Sequence, residues 1–257
     1  TESGSKREKT LVDYYYLNYP QVFDGEEHEG YYTQEQIKDV VAYAASKYIN
    51  VVPEIEMPGH ALAALASYPE LSFDSTQTYK VSPTWGVFEQ VFCPSETTFK
   101  FFEGVMDEVV ELFPSEYIHI GGDECPKTAW KNSAFCQQLI RQLGLKDDVT
   151  PSKVDGVKHS KEDKLQSYFV TRMEKYLNDK GRNIIGWDEI LEGGLAPNAT
   201  VMSWRGVEGG LNAAKAGHNA IMTPMPYAYL DFYQEDPAIA PTTIGGYTTL
   251  KKTYSYN

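Results

Sequence analysis

Along the chain, apolar residues occur in two alternating patterns: spaced as on one face of a helix, and grouped in short continuous runs. A capping box that begins at Thr33 precedes apolar residues at helical spacing, which predicts a helix ending near Tyr48. The apolar run at residues 49–56 predicts a short buried strand that ends in charged groups. A second apolar face follows Ser95 at helical spacing until Pro114, so we expect a longer helix there.

The same alternation continues through the second half of the chain. Residues 117–122 predict a strand that runs into two acids, and residues 128–143 predict a helix. Residues 145–162 are rich in charge and contain Pro and Gly, so we expect a surface loop before a long helix at 163–179. The remaining expected elements are strands at 183–187, 200–204 and 219–223 and a helix at 211–216.

Alternating strands and helices predict an α/β fold, in which helices cover a parallel sheet. Several expected strands end in charged or aromatic residues, namely Glu56, Asp123, Glu124, Trp187, Asp188, Glu189, Trp204 and Arg205. A site assembled from many strand ends is typical of a (β/α)8 TIM barrel, whereas an open sheet binds its ligand at one switch point beside a glycine-rich turn. No glycine-rich phosphate motif follows a strand, so we predict the barrel.

The charge of the chain narrows its possible partners. Its 36 acidic residues outnumber its 23 basic residues, which gives a formal net charge of −13 at pH 7. This balance argues against a nucleic-acid partner and against a polybasic membrane anchor. No apolar run is long enough to cross a bilayer, and the N-terminal residues are too polar for a signal peptide.

The three cysteines do not suggest a metal site. Cys93, Cys125 and Cys136 fit no C-x-x-C spacing, and they are too few for a disulfide-rich scaffold. We expect buried thiols with at most one disulfide.

Asp123 and Glu124 form the densest chemical feature of the sequence, because they follow two adjacent glycines at a strand end. Side chains of neighbouring residues diverge there, so the two carboxylates would address different parts of one ligand. Two carboxyl groups in different environments can hold different protonation states, which suits glycoside hydrolysis. The alternative is an acidic pair that only caps the next helix.

Aromatic residues at the other strand ends favour a sugar ligand. Trp187 and Trp204 each end a predicted strand beside a charged residue, and Tyr229 follows the next strand. Aromatic faces stack on the apolar face of a sugar ring, although a single Trp at a strand end is more often part of the core.

Five sequence elements occur in the order of one known family. They are Glu54-Ile55-Glu56-Met57-Pro58-Gly59-His60, His119-Ile120-Gly121-Gly122-Asp123-Glu124, Ile185-Gly186-Trp187-Asp188-Glu189, Met202-Ser203-Trp204-Arg205 and Tyr229-Leu230-Asp231. From about Gly30 onward the chain resembles the family 20 glycoside hydrolases, the β-N-acetylhexosaminidases. The resemblance implies that residues 1–257 are part of a single glycoside hydrolase catalytic barrel domain.

The resemblance implies a substrate-assisted retaining mechanism for the hydrolysis of terminal β-linked N-acetylhexosamine residues. In that mechanism the 2-acetamido group of the substrate is the nucleophile, and an oxazolinium-type intermediate forms. Glu124 would be the general acid and then the base that activates water. Asp123 would hold the acetamido N–H and stabilise the developing positive charge.

Further roles are implied by position in the family motifs. Tyr229 would hydrogen-bond the acetamido oxygen, and Trp187 and Trp204 would form the walls of the sugar pocket. Asp231 would bind sugar hydroxyls. His60 would belong to a polar network near the acid, although a histidine that is merely hydrogen-bonded in a loop fits the sequence equally well.

Three rival interpretations remain at this point. A metal site built from His119, Asp123 and Glu124 lacks any H-x-H or H-x-x-x-H spacing, so we predict neither a metal nor a cofactor and take His119 as structural support. A non-catalytic carbohydrate-binding module could retain the aromatic residues, but it would need no proton donor. An unrelated barrel enzyme acting on an acidic substrate is disfavoured by the negative charge.

The chain also departs from the family pattern. A substrate-binding Arg element and an acidic H-x-x-D-D-Q-type element are missing ahead of Tyr31, and a Trp-Glu element is expected beyond Asn257. We therefore expect an incomplete barrel with about five of eight strands, and an isolated segment that is weak or inactive. The expected partner is an oligosaccharide or glycoconjugate containing N-acetylhexosamine, and family substrates imply an extracellular or periplasmic location.

Overall fold

The computed structural model describes residues 30–82, 86–241, 243 and 245–256. The polar N-terminal segment and the region searched for the two missing motifs lie outside these described residues. Within the described part of the chain, no helix combines the length and apolar character needed to cross a bilayer.

Four parallel strands form the central sheet among the described residues. They are β1 (Tyr117–His119), β2 (Asn183–Trp187), β3 (Thr200–Ser203) and β4 (Ala220–Met222). The strands lie side by side in chain order, with Ile118 opposite Ile184 and Gly186 opposite Val201. This order confirms the predicted parallel sheet, and β2 has the predicted bounds.

The strand expected at residues 49–56 is not a regular strand, so the described residues contain four regular strands, which is consistent with the expected incomplete barrel. Glu54 forms a single parallel bridge with His119, and Ile55 N–H donates to the His119 carbonyl over 2.9 Å. Pro53 accepts from His119 N–H but has no N–H of its own, which limits the ladder that this segment can form. The segment nevertheless lies beside β1 and brings its acids to the same edge.

Helices surround the sheet and account for most of the regular structure. They are α1 (Gln34–Ser46), α2 (Leu62–Ser67), α3 (Glu96–Leu112), α4 (Thr128–Asn132), α5 (Ala134–Gln142), α6 (Lys161–Asp179), α7 (Glu208–Lys215), α8 (Met225–Ala228) and α9 (Leu250–Tyr254). Within the described ranges, 3₁₀ turns lie at Pro69–Leu71 and Asp188–Leu191.

Capping side chains decide where the predicted helices begin. The Thr33 capping box is present as predicted, and the helix expected after Ser95 begins at Glu96 with the Ser95 hydroxyl as its cap. The single helix expected at 128–143 is wrong, because Ser133 has an extended backbone and its hydroxyl caps a separate helix, α5. Ser160 and Asp163 form a capping box that starts α6 at Lys161, so the last two residues of the expected 145–162 loop belong to the helix.

The main core lies between the sheet and helices α3 and α6. Phe102, Met106 and Val109 of α3 are buried, which confirms the apolar face predicted for that helix. The Phe99 and Phe169 rings join α3 to α6 with centroids 4.8 Å apart. This packing holds the sheet rigidly, so the loops at the carboxyl ends of the strands have a fixed base.

Candidate active site

The carboxyl edge of the sheet carries the predicted site. The segment containing Glu54 and Glu56 lies beside β1, which continues into residues 121–124. Trp187 is the last residue of β2, and Trp204 directly follows β3. Four chain segments that are far apart in sequence therefore meet at one edge, as expected for a barrel site.

Gly121 and Glu56 explain why the family motif has glycine after the strand. Gly121 has φ +66°, a left-handed conformation that favours glycine. A Cβ atom at Gly121 would collide with the Glu56 carboxyl group. Only glycine at this position therefore leaves room for the Glu56 side chain next to the turn. Gly122 N–H donates to Glu56 Oε1 over 2.9 Å and fixes the carboxyl group there.

Glu56 and Asp123 share a hydrogen bond, and one carboxyl group is neutral while the other is an anion. Burial, with the nearby Asp123 charge, raises the pKa of Glu56 to about 9, so Glu56 is protonated at neutral pH. Burial also acts to raise the pKa of Asp123, but hydrogen bonds from His60 and Glu56 outweigh it and leave that pKa below its usual value. Asp123 is therefore a partly buried anion held by two donors.

His60 joins Asp123 to Glu124. Its Nε2 atom lies 3.4 Å from Asp123 Oδ2 and 3.4 Å from Glu124 Oε2. The hydrogen bond to Asp123 raises the pKa of His60, while burial opposes the shift. Gly59 makes this approach possible, since a Cβ there would lie 2.9 Å from the Asp123 carbonyl oxygen.

Glu124 differs from Asp123 in its surroundings. Its backbone has φ +43°, and its side chain is 39% exposed, whereas the Asp123 side chain is 17% exposed. A left-handed conformation is uncommon for a residue with a Cβ and is often found at functional sites. The turn directs the two neighbouring carboxyl groups into different environments, as the sequence predicted.

Trp187 is held in place by Glu54 and His119. Its indole Nε1–H donates to Glu54 Oε1 over 2.9 Å, and its ring contacts the His119 ring with centroids 4.8 Å apart. His119 Nδ1 accepts from Gly121 N–H over 3.0 Å, and burial lowers the pKa of this imidazole. His119 thus supports both the glycine turn and one aromatic wall.

Trp204 and Tyr229 form the second aromatic wall. Their rings are nearly parallel, with an interplanar angle of 18° and centroids 6.3 Å apart. Trp204 Nε1–H donates to Glu189 Oε2 over 3.0 Å. Burial and neighbouring carboxylates, with Asp123 first among them, raise the pKa of Tyr229 to about 12, so its hydroxyl remains a hydrogen-bond donor at neutral pH.

Asp188 and Arg205 connect the second wall to the sheet. The buried Asp188 carboxylate accepts from Trp204 N–H over 3.1 Å and from the Arg205 side chain. Arg205 also contacts Glu189 and Glu192, at 3.6 and 3.0 Å. This network fixes the turn after β3, and with it the position of Trp204.

The predicted sugar ligand Asp231 and the metal cluster considered from the sequence are arranged differently from what the sequence predicted. Asp231 is exposed and lines a separate cleft with Leu230 and Phe232, and it contributes to the site through the raised pKa of Tyr229. The metal cluster considered from the sequence included His119, but the structure groups His60 with Asp123 and Glu124, with ligand atoms within 4.8 Å of one another. The hydrogen bonds of His60 to both carboxylates account for this cluster, and the absence of a metal remains a prediction.

The sequence of residues 1–257 matches the family described as "Glycosyl hydrolase family 20, catalytic domain". This chain belongs to glycosyl hydrolase family 20. The family 20 chain is 51% identical over 236 residues to a protein from Porphyromonas gingivalis named "Beta-hexosaminidase", a match that covers 91% of this chain and 28% of that protein.

Two solved structures share the fold of this family 20 chain. The β-N-acetylhexosaminidase from Bacteroides fragilis has a TM-score of 0.70 and 32% identity over 96% of this chain and 45% of its own. The GH20 exo β-N-acetylglucosaminidase from Vibrio harveyi, in complex with N-acetylglucosamine, has a TM-score of 0.74 and 32% identity over 90% of this chain and 35% of its own. The chain thus spans less than half the length of these proteins, and its four strands are part of a TIM-barrel type fold.

Three acids of the family 20 site were not selected as site residues from the sequence. Glu54, Glu56 and Glu189 each accept or donate a hydrogen bond at a proposed catalytic or wall residue. The spacing of Glu54 and Glu56 was the available signal, because alternate residues of an extended segment face the same side. Nothing in the spacing of Glu189 indicates that its carboxylate reaches Trp204.

Replacing Glu56 tests the hydrogen bond to Asp123. We expect Glu56→Ala in the full-length protein to lower kcat about tenfold, the usual effect of losing a hydrogen bond to a charged group. Because one donor that lowers the Asp123 pKa is lost, the acidic limb of the pH–rate profile should move to higher pH. Glu56→Gln retains a donor and is the matched control, so equal shifts in the two variants would contradict the assignment.

Replacing Glu189 tests the support of the second wall. We expect Glu189→Ala to raise KM about tenfold with a smaller change in kcat, because the Trp204 indole loses its acceptor. Glu189→Gln keeps an acceptor oxygen and should stay within about threefold of the parent. Steady-state kinetics and the tryptophan fluorescence change on sugar binding measure the effect, and a loss confined to kcat would contradict it.

Proposed function

We propose that the protein containing this chain hydrolyses terminal non-reducing β-linked N-acetylhexosamine residues by a substrate-assisted retaining mechanism. The observation that carries this proposal is the adjacent pair Asp123 and Glu124, one a stabilised anion and the other exposed, at the sheet edge where β2 and β3 end in Trp187 and Trp204. Membership of family 20 and the N-acetylglucosamine complex of the Vibrio harveyi relative support it.

In the first step, the substrate's own acetamido oxygen attacks the anomeric carbon and the aglycone leaves. Glu124 protonates the departing oxygen, because its carboxyl group is the exposed member of the pair. Asp123 accepts the acetamido N–H and stabilises the positive charge that develops on the oxazolinium-type intermediate. The Tyr229 hydroxyl donates a hydrogen bond to the acetamido oxygen and orients it for attack.

In the second step, water opens the intermediate and the configuration at the anomeric carbon is retained. Glu124, now a carboxylate, accepts the proton of the attacking water. The His60 imidazole contacts both carboxylates, so a change in the charge of one carboxylate alters the electrostatic environment of the other. Trp187 and Trp204 enclose the sugar and exclude other water from the reacting atoms.

The partner we propose is an oligosaccharide or glycoconjugate that ends in β-linked N-acetylhexosamine. Aromatic walls provide sugar stacking, and we propose that Asp231, which is exposed and whose charge acts on Tyr229, binds sugar hydroxyls. We further propose export to the periplasm or the cell exterior, where such glycoconjugates are found.

The full-length protein provides the test. It should release the chromophore from a chromogenic β-N-acetylglucosaminide, and NMR of the first product should show the β-anomer. A chelator should leave the rate unchanged, since no proposed step uses a metal. Sugar binding without turnover would contradict the proposal and would favour the non-catalytic binding module, and a first product with the α-configuration would contradict the retaining mechanism.

A further inference from the structure

A cleft between two loop segments lies on the same face of the sheet as the proposed reaction. One wall comes from residues 65–79 and 89–91, which follow the Glu54–Glu56 segment, and the other comes from residues 129–135, which follow β1. Both segments therefore connect the carboxyl end of the sheet to the next helix, and barrel enzymes bind their substrates on that face. The cleft has a volume of about 510 Å³, within the range of roughly 300–1,000 Å³ that is usual for small-molecule sites.

Both walls of this cleft are anchored to the turns that carry the catalytic pair. Phe92 N–H donates to the Pro58 carbonyl over 3.0 Å, and the Trp130 indole N–H donates to the Phe92 carbonyl over 3.1 Å. Val91, which lines the cleft, packs in the same buried cluster as Cys125, a free thiol that directly follows the catalytic pair. A ligand in the cleft would thus bind to a surface that has a fixed position relative to the reacting groups.

Three aromatic side chains line the cleft. The Phe135 side chain is 47% exposed, and Phe73 and Tyr79 are half-buried. Among the described residues, none of these three rings is in contact with another aromatic ring. Their faces are therefore available for stacking on an apolar face of a ligand, as sugar rings provide.

The polar groups of the cleft match the hydroxyl and acetamido groups of sugars. The side-chain amides of Gln77, Gln90 and Asn132 line it, and no hydrogen bond within the described part of the chain engages them. Each amide offers both donors and an acceptor. The charged lining residues are Asp74 and Glu89, and no Lys or Arg is among the described lining residues. This charge disfavours a phosphorylated or sulfated ligand and favours a neutral one.

We propose that this cleft binds a neutral oligosaccharide, namely the part of the substrate that lies beyond its terminal N-acetylhexosamine. The proposal rests on the proposed function, because it requires a sugar chain whose end is hydrolysed at Asp123 and Glu124. The cleft holds the chain at a distance from the bond that breaks. It therefore lowers KM for long substrates and has no effect on a substrate that is too short to reach it.

Phe135→Ala in the full-length protein tests this cleft, because it removes the most exposed of the three rings. The probes are a chromogenic β-N-acetylglucosaminide, a β-1,4-linked hexamer of N-acetylglucosamine and a neutral biantennary glycan that ends in N-acetylglucosamine. We expect KM to rise about fivefold for at least one of the two oligosaccharides, with kcat unchanged and with no change on the chromogenic monosaccharide.

Matched variants separate stacking in the cleft from a general effect of losing a surface ring. Phe135→Trp keeps an aromatic face and should stay within about twofold of the parent on every probe. Tyr43→Ala removes an exposed ring from α1, outside the cleft, and should change none of the constants. Asn132→Ala removes one of the unengaged amides and should raise KM for the same oligosaccharide as Phe135→Ala does.

Two results would overturn the proposal. One is a parent-like KM on both oligosaccharides in Phe135→Ala and in Asn132→Ala. The other is an equal rise of KM on the chromogenic monosaccharide, because the loss would then lie in the catalytic pocket. A parent protein that hydrolyses none of the probes would contradict the proposed function instead. Calorimetry would then still test the cleft, since the parent should bind one of the oligosaccharides and Phe135→Ala should bind it about fivefold more weakly.

Discussion

Glu124→Gln in the full-length protein should lower kcat on an alkyl or oligosaccharide β-N-acetylglucosaminide by about 10³-fold. The amide cannot protonate the leaving oxygen in the first step or accept the water proton in the second. Because the glutamine has nearly the same shape, KM should change much less than kcat. Steady-state kinetics on the variant and the parent provide the measurement.

The loss of rate in Glu124→Gln should depend on the leaving group of the substrate. An aglycone that departs as a stable phenolate needs little protonation, so the first step should lose less rate with that substrate than with an alkyl glycoside. Glu111→Gln is a matched control, because Glu111 is exposed on α3 and should leave kcat unchanged. Unchanged turnover in Glu124→Gln would remove Glu124 from the mechanism.

Asp123→Asn should lower kcat by about 10²-fold to 10³-fold, the usual loss when a charge that stabilises the transition state is removed. Asparagine retains an acceptor oxygen but carries no negative charge to stabilise the oxazolinium-type intermediate. His60 also loses the partner that raises its pKa, so the network around Glu124 changes as well. The affinity for a thiazoline mimic of the intermediate should fall in parallel with kcat.

The parallel loss distinguishes this role of Asp123 from a purely structural one. If Asp123 only maintained the turn, the variant would lose thermal stability and would bind the mimic and the N-acetylhexosamine product equally weakly. Asp39→Asn, at an exposed position of α1, serves as the matched control. A variant that keeps the parent's affinity for the mimic would contradict the assignment.

Local chemistry allowed much of the fold to be predicted. The Thr33 capping box and the apolar face that follows Ser95 lie within or next to the helices that they predict, so short-range patterns were sufficient. The same reasoning was wrong for residues 128–143, because the apolar spacing continues through Ser133 while its hydroxyl starts a new helix. It was also wrong for the segment before Glu56, since a regular strand depends on its neighbours as well as on its own apolar residues.

The family motifs identified the candidate residues, but not the contacts that set their states. Asp123, Glu124, Trp187, Trp204 and Tyr229 could be named because the family places these residue types in a fixed order. Whether a carboxyl group is ionised depends on burial and on donors from elsewhere in the fold. The proton on Glu56 is an example, since it follows from the burial of this side chain and from a partner 67 positions away in the sequence.

The sequence by itself determined the family, the parallel α/β architecture and the identity of the acidic pair, because these follow from local patterns and motif order. Only the tertiary structure decided that Glu54 and Glu189 hold the two tryptophans and that Glu56 is a neutral donor. Each of these is a contact between segments that are distant along the chain. Such contacts exist only after the helices have packed against the sheet and excluded water, which fixes both distances and charge states.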